Sequence, residues 1–178
     1  FGGTVNVTNL LAVNPDDDMF DFTQGYSGTL KNCYGVWESG YTSTEADPRG
    51  IEADGNLDGD YSDHLRQSDF TVENMTIVNN AANTTDNVDR MQDVIKIRRG
   101  AKATITNALV KGSGGTIDLI DMNDSKGVGN AASSISITHT LNFKNKLNGT
   151  LNTFTEPTTN TGADASLFTW SGYNFSSL

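Results

Sequence analysis

The sequence predicts an all-β fold, a right-handed parallel β-helix, and three observations lead there. Short apolar–polar alternations recur along the chain, as in "MFDF" (19–22) and "GIEA" (50–53). Asparagine-centred segments repeat in a common register, from "VTNLLAV" (7–13) onward. The residues between them are crowded with Gly, Asn, Thr, Ser and Asp, which close turns.

The Asn-centred segments come first in the argument. They are "VTNLLAV" (7–13), "LKNCYGV" (30–36), "VENMTIV" (72–78), "ITNALVK" (105–111) and "ITHTLNF" (137–143). Each opens on an aliphatic residue, then a polar one. The third position reads Asn9, Asn32, Asn74, Asn107 and His139, at spacings of 23, 42, 33 and 32 residues. Asn tolerates a left-handed turn, and its amide can bond the amide stacked above it. His139 is expected to close this ladder in a structural role. Four alternating strands complete the units: 19–22, 50–53, "VIKI" (94–97) and "TIDL" (116–119). One unit of about 23 residues cannot bury its own apolar face, but stacked copies can. Handedness follows from the rule for parallel crossovers. The expected organisation is about five coils over residues 1–143 and an irregular C-terminal cap over 144–178. Phe168, Trp170, Tyr173 and Phe175 are expected to fold over the last coil.

Composition narrows the function. Twelve basic and 22 acidic side chains give a formal charge of −10, which disfavours a phosphate backbone as partner. Cys33 stands alone, so neither an intrachain disulfide nor a CxxC zinc site is available. No apolar run approaches the ~18 residues of a transmembrane helix. The first coil has a strand edge with nothing above it. An upstream β-helical section or a partner chain is therefore expected to cover that edge.

"FGGTVNVTNLLAVNPDDDMFDFTQGYSGTLKN", "RGIEADGN" and the ending "GADASLFTWSGYNF" resemble the β-helical surface lipoproteins of Bacteroidota, a pectin-lyase-like family. That resemblance spans nearly the whole chain. It implies the β-helix, further coils upstream, and an extracellular or outer-membrane surface location. It implies no particular reaction.

Three stretches are candidate sites. In "GIEADGNLDGDYSDHL" (50–65), Asp54, Asn56, Asp58 and Asp60 match the opening of a calcium loop. The twelfth position is Leu65 where that loop needs a bidentate Glu, so a solvated insertion is the competing reading. His64 is expected to be exposed. In "NPDDDMFDF" (14–22), Asp17, Asp18 and Asp21 loosely resemble the paired aspartates of polygalacturonases, with Arg98 as a basic partner. Glycoside hydrolysis needs two carboxyl groups across the scissile bond. The Gly-His-Gly of those enzymes is missing here, and turn-closing aspartates explain the run equally well. Finally, the alternation places Asp21, Glu52, Lys96 and Asp118 in one outward row. At the ~4.8 Å strand spacing, Asp21 over Glu52 costs about 3.5 kcal/mol before solvent screening. A lysine or a bound cation would relieve that.

Two functions follow as expectations. The first is a non-enzymatic surface or secreted module that binds a glycan or another envelope protein. The alternative is a polysaccharide-active enzyme, a lyase or polygalacturonase-like hydrolase, acting on an acidic glycan. Calcium is the one cofactor the sequence suggests.

Overall fold

A computed structural model describes residues 2–56, 66–81 and 90–178 of the chain. Its strands are β1 (Val7–Val13), β2 (Phe20–Phe22), β3 (Thr29–Trp37), β4 (Ile51–Ala53) and β5 (Asp69–Asn79). They continue with β6 (Met91–Ile97), β7 (Lys102–Gly112), β8 (Thr116–Asp121), β9 (Ser134–His139) and β10 (Thr153–Thr155). Long and short strands alternate into two parallel sheets. One is ordered β1-β3-β5-β7-β9-β10, the other β2-β4-β6-β8. From β1 to β9 each strand pairs with the one two places along the chain, which is how a coil stacks on the next, and β10 adds directly to β9. The fold is a parallel β-helix.

The asparagines shape the large sheet. Asn9, Asn32, Asn74 and Asn107 all adopt the left-handed region, with φ of 56°, 58°, 57° and 51°. The left-handed residue lets side chains on both sides of it face inward: Val72 and Met75 are both buried across Asn74. The amides join in two pairs. Asn32 Nδ2 donates to Asn9 Oδ1 at 2.9 Å, and Asn107 Nδ2 donates to Asn74 Oδ1 at 2.8 Å. Substituting Asn74 separates the two roles. Asn74→Leu loses an amide bond of about 1 kcal/mol and adds left-handed strain of about 1–2 kcal/mol. Asn74→Gly keeps the backbone freedom and loses only the amide. Urea denaturation should rank the losses Leu above Gly, and equal losses would mean that the turn conformation contributes nothing.

His139 departs from the expectation. It pairs with Val110, not with Asn107, because β9 aligns on β7 at an offset of 30 and then, after one extra β7 residue, 29, where the expected pairing needs 32. His139 Nε2 instead meets Glu156 Oε1 at 2.8 Å, and Nδ1 faces the Leu141 carbonyl. Coil five therefore has no rung in the ladder.

Inside, like stacks on like. Ile51, Ile95 and Ile120 align across β4, β6 and β8, and all three are fully buried. Val72, Ile105 and Ile135 do the same across β5, β7 and β9. Each such side chain contributes roughly 1.5–3 kcal/mol by leaving water. Phe22 stacks on Phe70, with ring centres 3.9 Å apart. Cys33 lies in this core, and burial pushes its thiol up to about 12, so it is unreactive at neutral pH.

Residues 144–155 stack on coil five, through β10 on β9 and through Asn145 and Asn148 beside β8, but the aromatics beyond them do not fold over that coil as expected. After β10 the chain turns back and crosses the outside of the large sheet toward coil one. Thr138 Oγ1 donates to the Pro157 carbonyl at 2.5 Å, and Asn160 Nδ2 to that of Ala108. The Thr161 amide donates to Asn107 Oδ1, that of Ala163 to Thr76 Oγ1, and that of Asp164 to Asn32 Oδ1. Phe168, in a 3₁₀ turn over Ala165–Ser171, is fully buried against Tyr34, Val36 and Val78. Tyr173 hydrogen-bonds Glu38. Outward apolar side chains on coils one to three, Leu11, Tyr34, Val36 and Val78, are what this strap covers. The last coil offers it no comparable apolar face.

Candidate functional site

The short sheet carries the chemistry. Its inward residues are the isoleucine stack, so every second residue points out. Register pairs Asp21 with Glu52, Glu52 with Lys96, and Lys96 with Asp121. Asp118 is not in that row, contrary to the sequence expectation; it pairs with Asp93. A second row thus runs through Asp93 and Asp118 to Asn145, which joins by an isolated bridge.

Cations thread between the rows. Arg49 is buried and spends all three guanidinium nitrogens. Nε reaches Asp93 at 3.3 Å, Nη2 reaches Asp47 at 2.8 Å, and Nη1 bonds Glu52. Lys96 Nζ bonds Asp121 and lies 3.9 Å from Asp93. Arg98 grips Asp54 by Nε at 2.7 Å and by Nη2 at 3.2 Å, and Nη2 also lies 2.9 Å from Glu52. Arg99 adds a contact to Asp54 at 3.3 Å and one to Asp124 at 3.0 Å.

Burial perturbs the acids. It raises Glu52 to about 7 and Asp93 to about 6, against the pull of Arg49 on both, Arg98 on Glu52 and Lys96 on Asp93. Asp18 rises further, to about 8, through burial and the nearby charges of Glu52 and Asp17. Asp124 moves the other way, held below the usual carboxylate range by the Arg99 hydrogen bond despite some burial.

One group of carboxylates has metal-like spacing. Oxygens of Asp93, Asp118 and Asp121 lie within 4.8 Å of one another, all buried. Donors of the chain already fill them. Asn145 and Asn148 Nδ2 donate to the two oxygens of Asp118 at 2.7 and 3.3 Å. Asp121 takes Lys96 and the Asn123 amide, and Asp93 takes Arg49. The Lys96 ammonium provides the positive charge that the cluster requires.

The sequence-predicted residues fall as follows. Asp17 is exposed ahead of β2, and Asp21 is exposed at its centre. Asp18 is half-buried, with its Oδ1 enclosed and without a hydrogen-bond partner. Arg98 lies in the ion-pair network, linked to Glu52 and Asp54. Asp54 is 1 % exposed, and both its oxygens are engaged by arginines. Asn56 donates to the Arg66 carbonyl. Asp58, Asp60 and His64 lie outside the described residues. Sequence reasoning missed Arg49, Asp93 and Asp121. A signal for Asp121 was present: "IDM" (120–122) repeats the apolar–charged–apolar pattern of "FDF", "IEA" and "IKI" (95–97). Aligning it in place of "TIDL" moves the register by three residues and gives the observed row.

Among the described residues, a cavity of about 250 Å³ opens at coil one, and another of about 270 Å³ lies beside Glu38, Ser39, Asn80 and Leu178. Glu52, Asp93, Lys96 and Arg98 line neither.

Stacked parallel coils with a charged outer face define this chain as a β-helical protein of the pectate-lyase-like class. The profile of the pectate-lyase-like β-helix domain matches residues 1–173, and the chain belongs to that family. No curated protein and no solved structure matches it.

Proposed function

We propose that this chain is a non-enzymatic β-helical module of the cell surface or the secreted space, binding a glycan or another envelope protein. The observation that carries the reading is the closure of the charged face on itself. Glu52, Asp54, Asp93, Asp118 and Asp121 each bond a donor within the chain, which leaves them without a substrate to act on. Family membership supports the architecture and is neutral on activity. The surface or outer-membrane location, with anchoring as a lipoprotein, rests on the resemblance of the sequence segments quoted above. Trp170 favours a glycan as ligand. It is 67 % exposed on a strap pinned by the buried Phe168, and a fixed indole face suits stacking on a sugar ring.

A second reading, a lyase or polygalacturonase-like hydrolase on an acidic glycan, is favoured by Glu52. Its carboxyl, near 7 through burial, lies between Arg49 and Arg98, with Asp18 and Asp21 beside it in the fold.

A glycan-array screen run beside a cleavage assay on acidic oligosaccharides tests both. The expected result is binding without cleavage, weakened at least about tenfold by Trp170→Ala. Cleavage that Glu52→Gln abolishes in a folded protein would establish the enzyme instead.

A further inference from the structure

We propose that Lys96 and Asp121 condense into an intramolecular isopeptide bond, with Asp93 relaying the protons, and that this bond fastens β6 to β8. It does not depend on the glycan reading.

Burial sets this pair apart. Lys96 and Asp121 are each 8 % exposed, and no other lysine among the described residues is buried. Lys31–Glu73, Lys102–Asp69 and Lys146–Glu156 are all far more open to water, which screens both charges.

Register supplies the proximity. Lys96 pairs directly with Asp121 across β6 and β8, and its Nζ bonds Oδ2. The Asn123 amide donates to the other oxygen, Oδ1, at 2.9 Å. That donor holds the carboxyl in place and stabilises negative charge on Oδ1 as Nζ attacks Cγ. Water favours the free acid and amine. Groups held in reacting geometry offset that preference, with effective concentrations of about 10⁵–10⁸ M.

A third group must move the protons. Asp93 Oδ2 lies 3.9 Å from Nζ, and oxygens of Asp93 and Asp121 lie within 4.8 Å of each other. Arg49 Nε holds the Asp93 carboxyl at 3.3 Å. Burial raises that carboxyl to about 6 despite Lys96 and Arg49, which suits it to a relay at neutral pH. Asp118 is less suited, since both its oxygens accept from Asn145 and Asn148.

The step is complete in itself. The Lys96 ammonium passes two protons through Asp93 to Asp121 Oδ2. The Nζ–Cγ bond forms, the Cγ–Oδ2 bond breaks, and Oδ2 leaves as water. A buried cation and a buried anion become one neutral amide, which relieves the desolvation cost of both. Asp93 keeps Arg49, and Asp118 keeps its two asparagines. In a solenoid each coil touches only its neighbours, so a covalent tie between two of them resists unzipping.

The test is the intact mass of the full chain, folded at neutral pH, incubated for hours and then measured under denaturing conditions. The expected result is a chain lighter by one water, with a tryptic product joining Met91–Arg98 to Gly112–Lys126. Lys96→Arg should keep the full mass. Asp121→Asn should lose ammonia in place of water, because the amide nitrogen is then the leaving group. Asp93→Asn, with the circular dichroism of the wild type, should join the two peptides at least about a hundredfold more slowly. The wild-type and Asp121→Asn masses decide the matter whether or not Asp93→Asn folds. The proposal is overturned if the folded wild type keeps its full mass, or if Asp93→Asn folds and joins as fast as the wild type. A lost water that maps to a succinimide at Asp54–Gly55, with the two peptides separate, overturns it too.

Discussion

Phe168→Ala should lower stability by about 3–5 kcal/mol, the usual loss for emptying a fully buried aromatic site. Phe168 has no exposed surface and packs edge-on to Tyr34, whose ring centre is 6.1 Å away. Its neighbours Val36 and Val78 come from coils two and three. One side chain therefore joins the strap to two coils that are distant from it in sequence. Its loss should also loosen the amides of Thr161, Ala163 and Asp164, which donate to Asn107, Thr76 and Asn32. Urea titration gives the stability change, and hydrogen exchange at those three amides gives its location. A loss under about 1 kcal/mol, with the amides still protected, would mean that the strap is held by its hydrogen bonds alone.

Asp54→Ala is the second large effect, at about 3–5 kcal/mol of destabilisation. Two arginines converge on this buried carboxylate, and removing it takes from Arg98 its closest partner, at 2.7 Å, and from Arg99 a partner at 3.3 Å second to Asp124. Adding Arg98→Met to Asp54→Ala should recover part of the loss, because an apolar chain no longer needs a counter-charge. A double variant as unstable as the sum of its singles would contradict the coupling. The same proteins test calcium at the acidic loop. With Asp54 held by arginines, millimolar calcium is expected to leave the wild-type Tm unchanged. A rise that Asp54→Ala/Asp58→Ala abolishes would show that Asp54 serves as a ligand after all.

The architecture was legible because its signals are local and repeated. Asn9, Asn32, Asn74 and Asn107 each need a left-handed backbone, and that preference is written in a single residue type. The pairs Phe20–Ile51–Ile95 and Asp21–Glu52–Lys96 follow from alternation alone. Reading failed where alternation admits two registers. "TIDL" (116–119) and "IDM" (120–122) adjoin in "TIDLIDM", and both alternate. The choice fell to Ile120 under Ile95, which only stacking of the core decides. His139 failed for a related reason. The offset between β7 and β9 is 30 and then 29 residues, not the 32 that aligns Asn107 with His139, and a strand's own residues do not specify it.

The sequence by itself determined the parallel β-helix, the asparagine turns, the acidic character of the outer face and the isolation of Cys33. Each is set by a residue's own conformational or solvation preference, repeated at coil spacing. Tertiary structure alone decided three further things. It brought the C-terminal strap back to coil one, because the apolar surface that Phe168 buries is assembled from strands far apart in sequence. It joined Arg49 to Asp93 and Arg98 to Asp54, each 44 residues apart, because a stacked coil makes neighbours of residues that no sequence window contains. It also left Asp18 without the partner that every buried carboxylate needs, a deficit visible only once each nitrogen of Arg49 has a known destination.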